Sequence, residues 1–383
     1  MEVKKLKECC TIIAGQSPES KYYNSNGDGL PFFQGKADFG ELYPSIRVYC
    51  SQPTKIAEKD DILLSVRAPV GPTNLAPCKV CIGRGLTAIR PSEVLLTRYV
   101  LLFFRYFEAQ LASKGTGTTF KAITQDVVKN LEIPIPPLPE QERIVARIEE
   151  LFSQLDAGVE TLKKTKAQLA VYRQAVLKEA FSDCDDSVTM GSVATMIDPQ
   201  PSHRTPPEFE NGIPYIGIGD IDYTGKTIRF KDARKVNPAV YEEHLQRYTL
   251  REGDFVMGKI GTIGKPFRLP LPQNYTLSAN VILIQPDAEK INPEYLFWQF
   301  SSPLITEQLM AGKNETSQPA FGIQKARLLR IKMCSPKDQD RIVYSIREKI
   351  SVCENIEQTV TLSLQQAEAM RQSILKDAFE GRL

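Results

Sequence analysis

Laid on itself with an offset of 198 positions, the 383-residue chain aligns residues 140–182 with 338–380 without a gap, and 15 of the 43 pairs are identical. Chance identity of roughly 6% would give about 3, so the segment is a true repeat. Upstream, short strings recur in the same order. Gly29–Gly35 (GLPFFQG) resembles Gly212–Ile218 (GIPYIGI), Lys59–Ser65 (KDDILLS) resembles Glu252–Gly258 (EGDFVMG), and Leu86–Pro91 (LTAIRP) resembles Val281–Pro286 (VILIQP). Arg98–Phe104 (RYVLLFF) against Glu294–Phe300 (EYLFWQF) completes the set. Two copies mean a duplication: globular block, long segment, globular block, long segment.

The long segments read as helices. Gly158 alone interrupts 140–182, and neither glycine nor proline occurs between Lys337 and Glu380. Ile144, Ile148, Leu151, Leu155, Val159, Leu162, Leu169, Tyr172 and Val176 step by threes and fours, with a gap at Lys166. The second copy repeats this through Ile342, Ile346, Ile350, Cys353, Ile356, Val360, Leu364, Ala367, Met370 and Ile374. Prolines stand at each entrance: Pro134, Pro136, Pro137 and Pro139, then Pro336. One apolar stripe on a helix about 65 Å long needs a cover, and the simplest cover is the other helix. In the blocks between, Asp61–Leu64, Gly85–Ile89 and Ala279–Ile284 read as strands, and Thr97–Ala112 and Pro293–Met310 as helices. The expected fold is therefore α+β. Two β-rich mixed domains in tandem repeat (1–139 and 187–337) are separated by two long helices (140–186 and 338–383) packed as an antiparallel coiled coil.

Composition narrows the function by exclusion. The N-terminus has no apolar signal-peptide core and no stretch of about 18 apolar residues exists, so a cytoplasmic chain with no membrane partner is expected. The net charge of +2 divides unevenly: +4 over 1–139, −3 over 140–186, +3 over 187–337 and −2 over 338–383. Mildly basic blocks alternate with acidic ones, which suggests different partners.

No catalytic motif stands out. An adenine methyltransferase needs Asn/Asp-Pro-Pro-aromatic, whereas the nearest strings are Asn292-Pro293-Glu294-Tyr295 and Thr205-Pro206-Pro207-Glu208. Gly258–Gly264 is not a phosphate-binding GxxxxGK[ST] loop, and Gly217-Ile218-Gly219 is half of a dinucleotide fingerprint. Pro286-Asp287 lacks the Glu-x-Lys of a metal nuclease. His203 and His244 are read as surface or capping residues. Cys78-x-x-Cys81 has zinc-ligand spacing with Cys9, Cys10 or Cys50 as further thiols, yet has no echo in the second half, and small buried strand residues are the competing reading. No catalytic residue, metal ligand or cofactor is assigned to the chain.

Cations in glycine- and threonine-rich loops are suited to phosphate contact. In the first block these are Lys36, Arg67, Arg84, Lys114 and Lys121; in the second, Arg229, Lys259, Lys265, Arg268, Lys313 and Lys325. Gln34, Arg67, Asn280 and Gln318 have the donor and acceptor geometry to read base edges. Two unlike copies of a DNA-reading domain on a helical spacer would read two half-sites at fixed separation.

LEIPIPPLPEQERIVARIEELF from Leu131, its echo LRIKMCSPKDQDRIVYSI from Leu329, and RQAVLKEAF from Arg173 resemble the conserved regions of type I restriction-modification specificity subunits. Pro137-Leu138-Pro139-Glu140-Gln141 carries the motif well, and Ser335-Pro336-Lys337-Asp338-Gln339 keeps little of its proline run. The resemblance implies a non-catalytic subunit whose two target-recognition domains bind bipartite double-stranded DNA. By the same resemblance its helices set the gap and dock two modification (methyltransferase) subunits. S-adenosylmethionine, ATP and Mg are then expected on the modification and restriction subunits. It also implies a chain that closes on itself, its N-terminal strand near its C-terminal helix. The alternative is a coiled-coil adaptor, or another two-domain DNA-binding protein without methyltransferase partners.

Overall fold

The computed structural model describes residues 2–116, 122–260, 263–311 and 321–383. The chain forms two compact units, Met1–Lys163 with Thr361–Leu383, and Lys164–Val360. The first long helix, Leu138–Ala180, and the second, Pro336–Phe379, each contribute to both. Both start two residues before the expected position, because proline is tolerated in a helix's first turn, where its missing N–H has no partner to lose.

In the first unit an antiparallel sheet runs in the order Cys10–Ala14, Leu86–Pro91, Ile62–Ser65, Thr73–Leu75. Ile62 and Leu64 point into one core with Val100, Phe103 and Phe104 of the helix Thr97–Ser113. Leu63, between them, points into a second core with Phe33, Val80 and Ile82. A strand buried on both faces reads as an unbroken apolar run rather than an alternation. The second unit repeats the plan with Ala194–Ile197, Val281–Pro286, Phe255–Gly258 and Pro266–Arg268. There Phe255 and Met257 face one core and Val256 the other. In each unit a further layer pairs two strands in parallel: Leu30–Phe33 with Val80–Ile82, and Ile213–Ile216 with Thr276–Leu277.

Within the first unit the long helices run antiparallel: Asp156 is ion-paired with Arg371, and Arg143 donates to the carbonyl of Leu383. Leu375, Ala378 and Phe379 pack into the core that holds Leu6 and Ile148, and Phe379 lies 5.2 Å from the ring of Tyr99. Residues near both ends of the chain thus share one unit. In the second unit Arg173 meets Glu357 at 2.7 Å and Glu179 meets Lys349 at 3.8 Å, again antiparallel. Tyr172 and Met370, which were placed in the apolar stripes, are 49% and 55% exposed. Their neighbours Arg173 and Arg371 turn inward instead, because counting steps of three and four drifts from the true period of 3.6.

The repeat extends to buried polar contacts. Gln141 accepts the N–H of Leu96 and donates to the carbonyls of Val94 and Pro136. Gln339 accepts the N–H of Asn292 and donates to Cys334. Tyr99 donates to Pro134, and Tyr295 to Lys332, the same place in each copy. One pair differs: buried Asp61 accepts two 2.8 Å bonds from the Arg90 guanidinium, whereas buried Asp254 has no cationic side chain on it and accepts the neutral amide of Gln285 at 2.5 Å and the N–H of Arg251 at 2.8 Å.

The helix expected over Pro293–Met310 is two, Pro293–Phe300 and Pro303–Ala311. Pro303 lacks the N–H that would continue the first and its ring crowds the preceding turn. Asn292 caps the first by accepting from Glu294 and Tyr295. His244, expected at the surface or in a capping role, is fully buried, its ring nitrogens 2.5 Å from Thr276 Oγ1 and Gln200 Oε1. Cys50 and Cys81 are buried with Phe32, while Cys9 belongs to the core around Leu6.

Candidate nucleic-acid interface

The parallel strand pairs position the candidate residues. In the first unit, Gly83 donates to the carbonyl of Phe33 at 2.8 Å, Val66 to Gly85 at 3.0 Å, and Ile123 to Val66 at 3.0 Å. In the second, Ser278 donates to Ile216 at 2.9 Å, Lys259 to Asn280 at 2.8 Å, and Phe321 to Lys259 at 2.9 Å. These bonds superimpose the two junctions residue by residue: Gln34 corresponds to Gly217, Arg84 to Ala279, Gly85 to Asn280, and Val66 to Lys259.

Each junction is crowded at one point, and an amide side chain borders it from opposite sides in the two copies. A Cβ at Gly85 would lie 2.2 Å from the carbonyl oxygen of Gln34, so the first unit keeps glycine there and carries its amide at Gln34. A Cβ at Gly217 would lie 2.9 Å from both Asn280 Oδ1 and Ser278 Oγ, so the second unit keeps glycine on that strand and carries its amide at Asn280. Gln34 is exposed, with both ends of its amide open to a base edge. Asn280 Oδ1 already accepts from Ile218 N–H at 3.1 Å and Ser278 Oγ at 2.5 Å, which leaves chiefly its NH₂ to act as a donor.

The candidates divide between the two junctions and positions away from them. Gln34, Arg67 and Arg84 gather at the first junction, all exposed, with Arg67 bridged through its backbone to Ala122 and Arg84 N–H on Ser17. Lys114 follows the helix Thr97–Ser113, its ammonium 5.5 Å from the Phe107 ring, and exposed Lys36 lies in the 3-10 turn after Gln34. At the second junction Lys259 is only 14% exposed and is held by Asp198 at 2.8 Å. It lines a cleft of about 450 Å³ with His203, Tyr215, Gly217, Arg234 and Asn280. Exposed Arg229 donates to the carbonyl of Gly219 nearby.

The remaining candidates lie elsewhere. Arg268 ends a strand rather than sitting in a loop, ion-paired with Glu294 at 2.7 Å and stacked 3.6 Å over Phe297. Lys265 lies 4.3 Å over Tyr223. Lys325 is exposed on the short helix Ile323–Arg327. Lys121, Lys313 and Gln318 lie outside the described residues. Sequence reasoning missed Tyr215, Asp198 and Arg234. Tyr215, whose hydroxyl accepts from Ala279 N–H, stood within the recurring string at 212–218.

The His244 imidazole is pushed below its ordinary pKa by burial, then by nearby Arg247, and the Asp254 carboxyl is pushed up, chiefly by burial. Among the described residues no cluster of three or more His, Cys, Asp or Glu could hold a metal ion, and no helix is long and apolar enough to cross a membrane.

Residues 1–170 match the family described as type I restriction modification DNA specificity domain. A chain of Methanocaldococcus jannaschii named as the type I restriction enzyme MjaX specificity subunit is 40% identical over 167 residues, 43% of this chain and 38% of that one. The chain therefore spans well under half the length of this relative. The EcoBI specificity subunit of Escherichia coli is 22% identical over 322 residues, covering 76% of this chain and 67% of its own. Among solved structures, the HsdS subunit of Thermoanaerobacter tengcongensis is 49% identical over 41% of this chain and 38% of its own, with a TM-score of 0.38. Residues 1–170 thus match a type I restriction modification DNA specificity domain, and the repeat of the PLPEQ-type helix and of the junction carries the same plan into the second half of the chain.

Proposed function

We propose that this chain is the sequence-reading, non-catalytic subunit of a type I restriction-modification complex, each unit recognising one half of a bipartite DNA target. The observation that carries the reading is the pair of superimposable junctions. Their backbone hydrogen bonds are the same, whereas the side chains presented, Gln34 and Arg84 against Asn280 and Ala279, differ as two half-site sequences would require. Exposed Arg67, Lys36 and Lys114 in the first unit, and Arg229 and Arg234 in the second, would hold phosphates. The long helices would set the gap between half-sites. Their exposed apolar residues, among them Val171, Tyr344 and Val352, would dock modification subunits carrying S-adenosylmethionine and N6-adenine methylation. Restriction subunits would add ATP- and Mg-dependent cleavage, and the complex would work in the cytoplasm.

The test is single-molecule sequencing of adenine methylation in cells expressing this chain with a cognate methyltransferase subunit. A two-part methylated motif that vanishes when the chain is omitted is the expected result. A motif indifferent to the chain would leave it an adaptor.

A further inference from the structure

At the second junction the fold fixes which side of one amide faces outward. Asn280 Oδ1 accepts the N–H of Ile218 at 3.1 Å and the hydroxyl of Ser278 at 2.5 Å, which occupies both lone pairs of the amide oxygen. A backbone N–H can only donate, so the atom facing Ile218 must be the oxygen, and the NH₂ is turned the other way. There it lies over Gly217, where a Cβ would come within 3.0 Å of Nδ2, and both residues line the cleft of about 450 Å³. Glycine at 217 leaves the NH₂ uncovered: Nδ2 has no partner among the described residues and is not one of their buried unpaired atoms.

The surroundings carry the same bias. Asp198 spends one oxygen on Lys259 Nζ at 2.8 Å and the other on the N–H of Gln200 at 3.2 Å, and Asp220 turns an oxygen to the N–H of Gly217 at 2.8 Å. Tyr215 Oη accepts from the N–H of Ala279 at 3.3 Å. Lys259 and Arg234 in the cleft wall can only donate.

Base edges in the major groove sort against such a reader. Adenine sets a donor, N6–H₂, beside its N7 acceptor, cytosine offers a donor, and thymine has one acceptor next to a methyl group. Guanine alone presents two adjacent acceptors, N7 and O6.

We propose that Asn280 reads a guanine in the half-site of the second unit, its NH₂ donating to N7 and O6, with Ser278 and the Ile218 N–H as the positioning groups that turn it away from adenine. The inference rests on the reading of the chain as a DNA-recognition subunit and goes beyond it in naming the base and its edge.

Asn280→Asp is the variant of choice, because its carboxylate keeps an oxygen for Ile218 and Ser278 and replaces only the NH₂. In the complex of the full chain with its methyltransferase subunit, sequencing of methylated DNA should show one base pair of the motif relaxed or changed. That pair should be G·C in the wild type, and the other half of the motif should stay intact, which reports a folded chain. Duplexes with 7-deazaguanine at that position lack N7 and should bind the wild-type complex about tenfold more weakly, as expected for loss of one hydrogen bond. Hypoxanthine, which lacks only the minor-groove amino group, should bind as guanine does. The Asn280→Gly complex should not distinguish 7-deazaguanine from guanine. An A·T pair at the Asn280-dependent position, a motif unaltered by Asn280→Asp, or equal binding of the 7-deazaguanine duplex would each overturn the assignment while leaving the chain a DNA reader. A motif indifferent to omission of the whole chain would overturn both.

Discussion

Gln141 and Gln339, 198 positions apart, make the same hydrogen bond: each side-chain oxygen accepts, at 2.8 Å, the N–H that stands at the entrance of its domain's covering helix, from Leu96 and from Asn292. Both side chains are buried, 0% and 2% exposed, and both donate to a carbonyl just before their own helix, Pro136 and Cys334. One amide thus ties the long helix, its lead-in and the domain together. Gln141→Leu strands the Leu96 N–H and two carbonyls and should cost about 2–4 kcal/mol, since each unsatisfied buried group costs about 1–3 kcal/mol. Gln339→Leu should act likewise on the second unit. Denaturant melts with unchanged slope are the check, and a loss under 0.5 kcal/mol would contradict the role.

Asp254 gives a pH signature. Because burial raises its carboxyl pKa, the folded chain holds the proton at pH values where the unfolded chain has released it. Stability should therefore fall as pH rises from the ordinary carboxylate range to the raised value, and Asp254→Asn should flatten that limb. Thermal melts of wild type and variant between pH 4 and 8 decide it.

His244 has the opposite sign. Its folded pKa is lowered by burial, so protonation is resisted by the fold but not by the unfolded chain. Stability should decline as pH drops through about 6.5, the unfolded histidine value. His244→Gln should reduce this slope, measurable in the same melts.

Arg67→Ala and Arg84→Ala should weaken DNA binding by the assembled complex at all sequences and lower the salt slope of log K by about 1 if each touches a phosphate. An unchanged slope with a changed methylation motif would instead place the residue on a base. Gln34→Gly and Asn280→Gly should each alter one half of the motif and spare the other, read by sequencing methylated DNA.

Insertion of four residues, about one turn, into both long helices should lengthen the gap of the recognised site and leave the half-site sequences intact. Altered half-sites would show that the helices do more than space.

The fold was largely legible because the repeat doubled every signal: strands at Asp61–Leu64 and Ala279–Ile284, and both long helices, stood out in one sequence. Tyr172 and Met370 misled because their neighbours are arginines, whose stems can line an apolar seam while the charge finds a carboxylate: Glu357 for Arg173, Asp156 for Arg371. His244 could not be placed, since its burial depends on Thr276 and Gln200, brought to it by the tertiary fold. The junctions were half visible. Gln34 and Asn280 were singled out as amides, but their exchange across a parallel strand pair needs a pairing of distant segments that no local pattern encodes. Lys259 looked like any loop cation until Asp198 was found beside it.

Lys164–Val360 is an uninterrupted stretch, whereas the other unit is assembled from Met1–Lys163 and Thr361–Leu383. On the ribosome, the second unit therefore has its whole complement of residues while the first still lacks Leu375, Ala378 and Phe379 for its core. The half made first is the half completed last, and until then its apolar face around Phe103 and Ile148 stays open to chaperones and proteases.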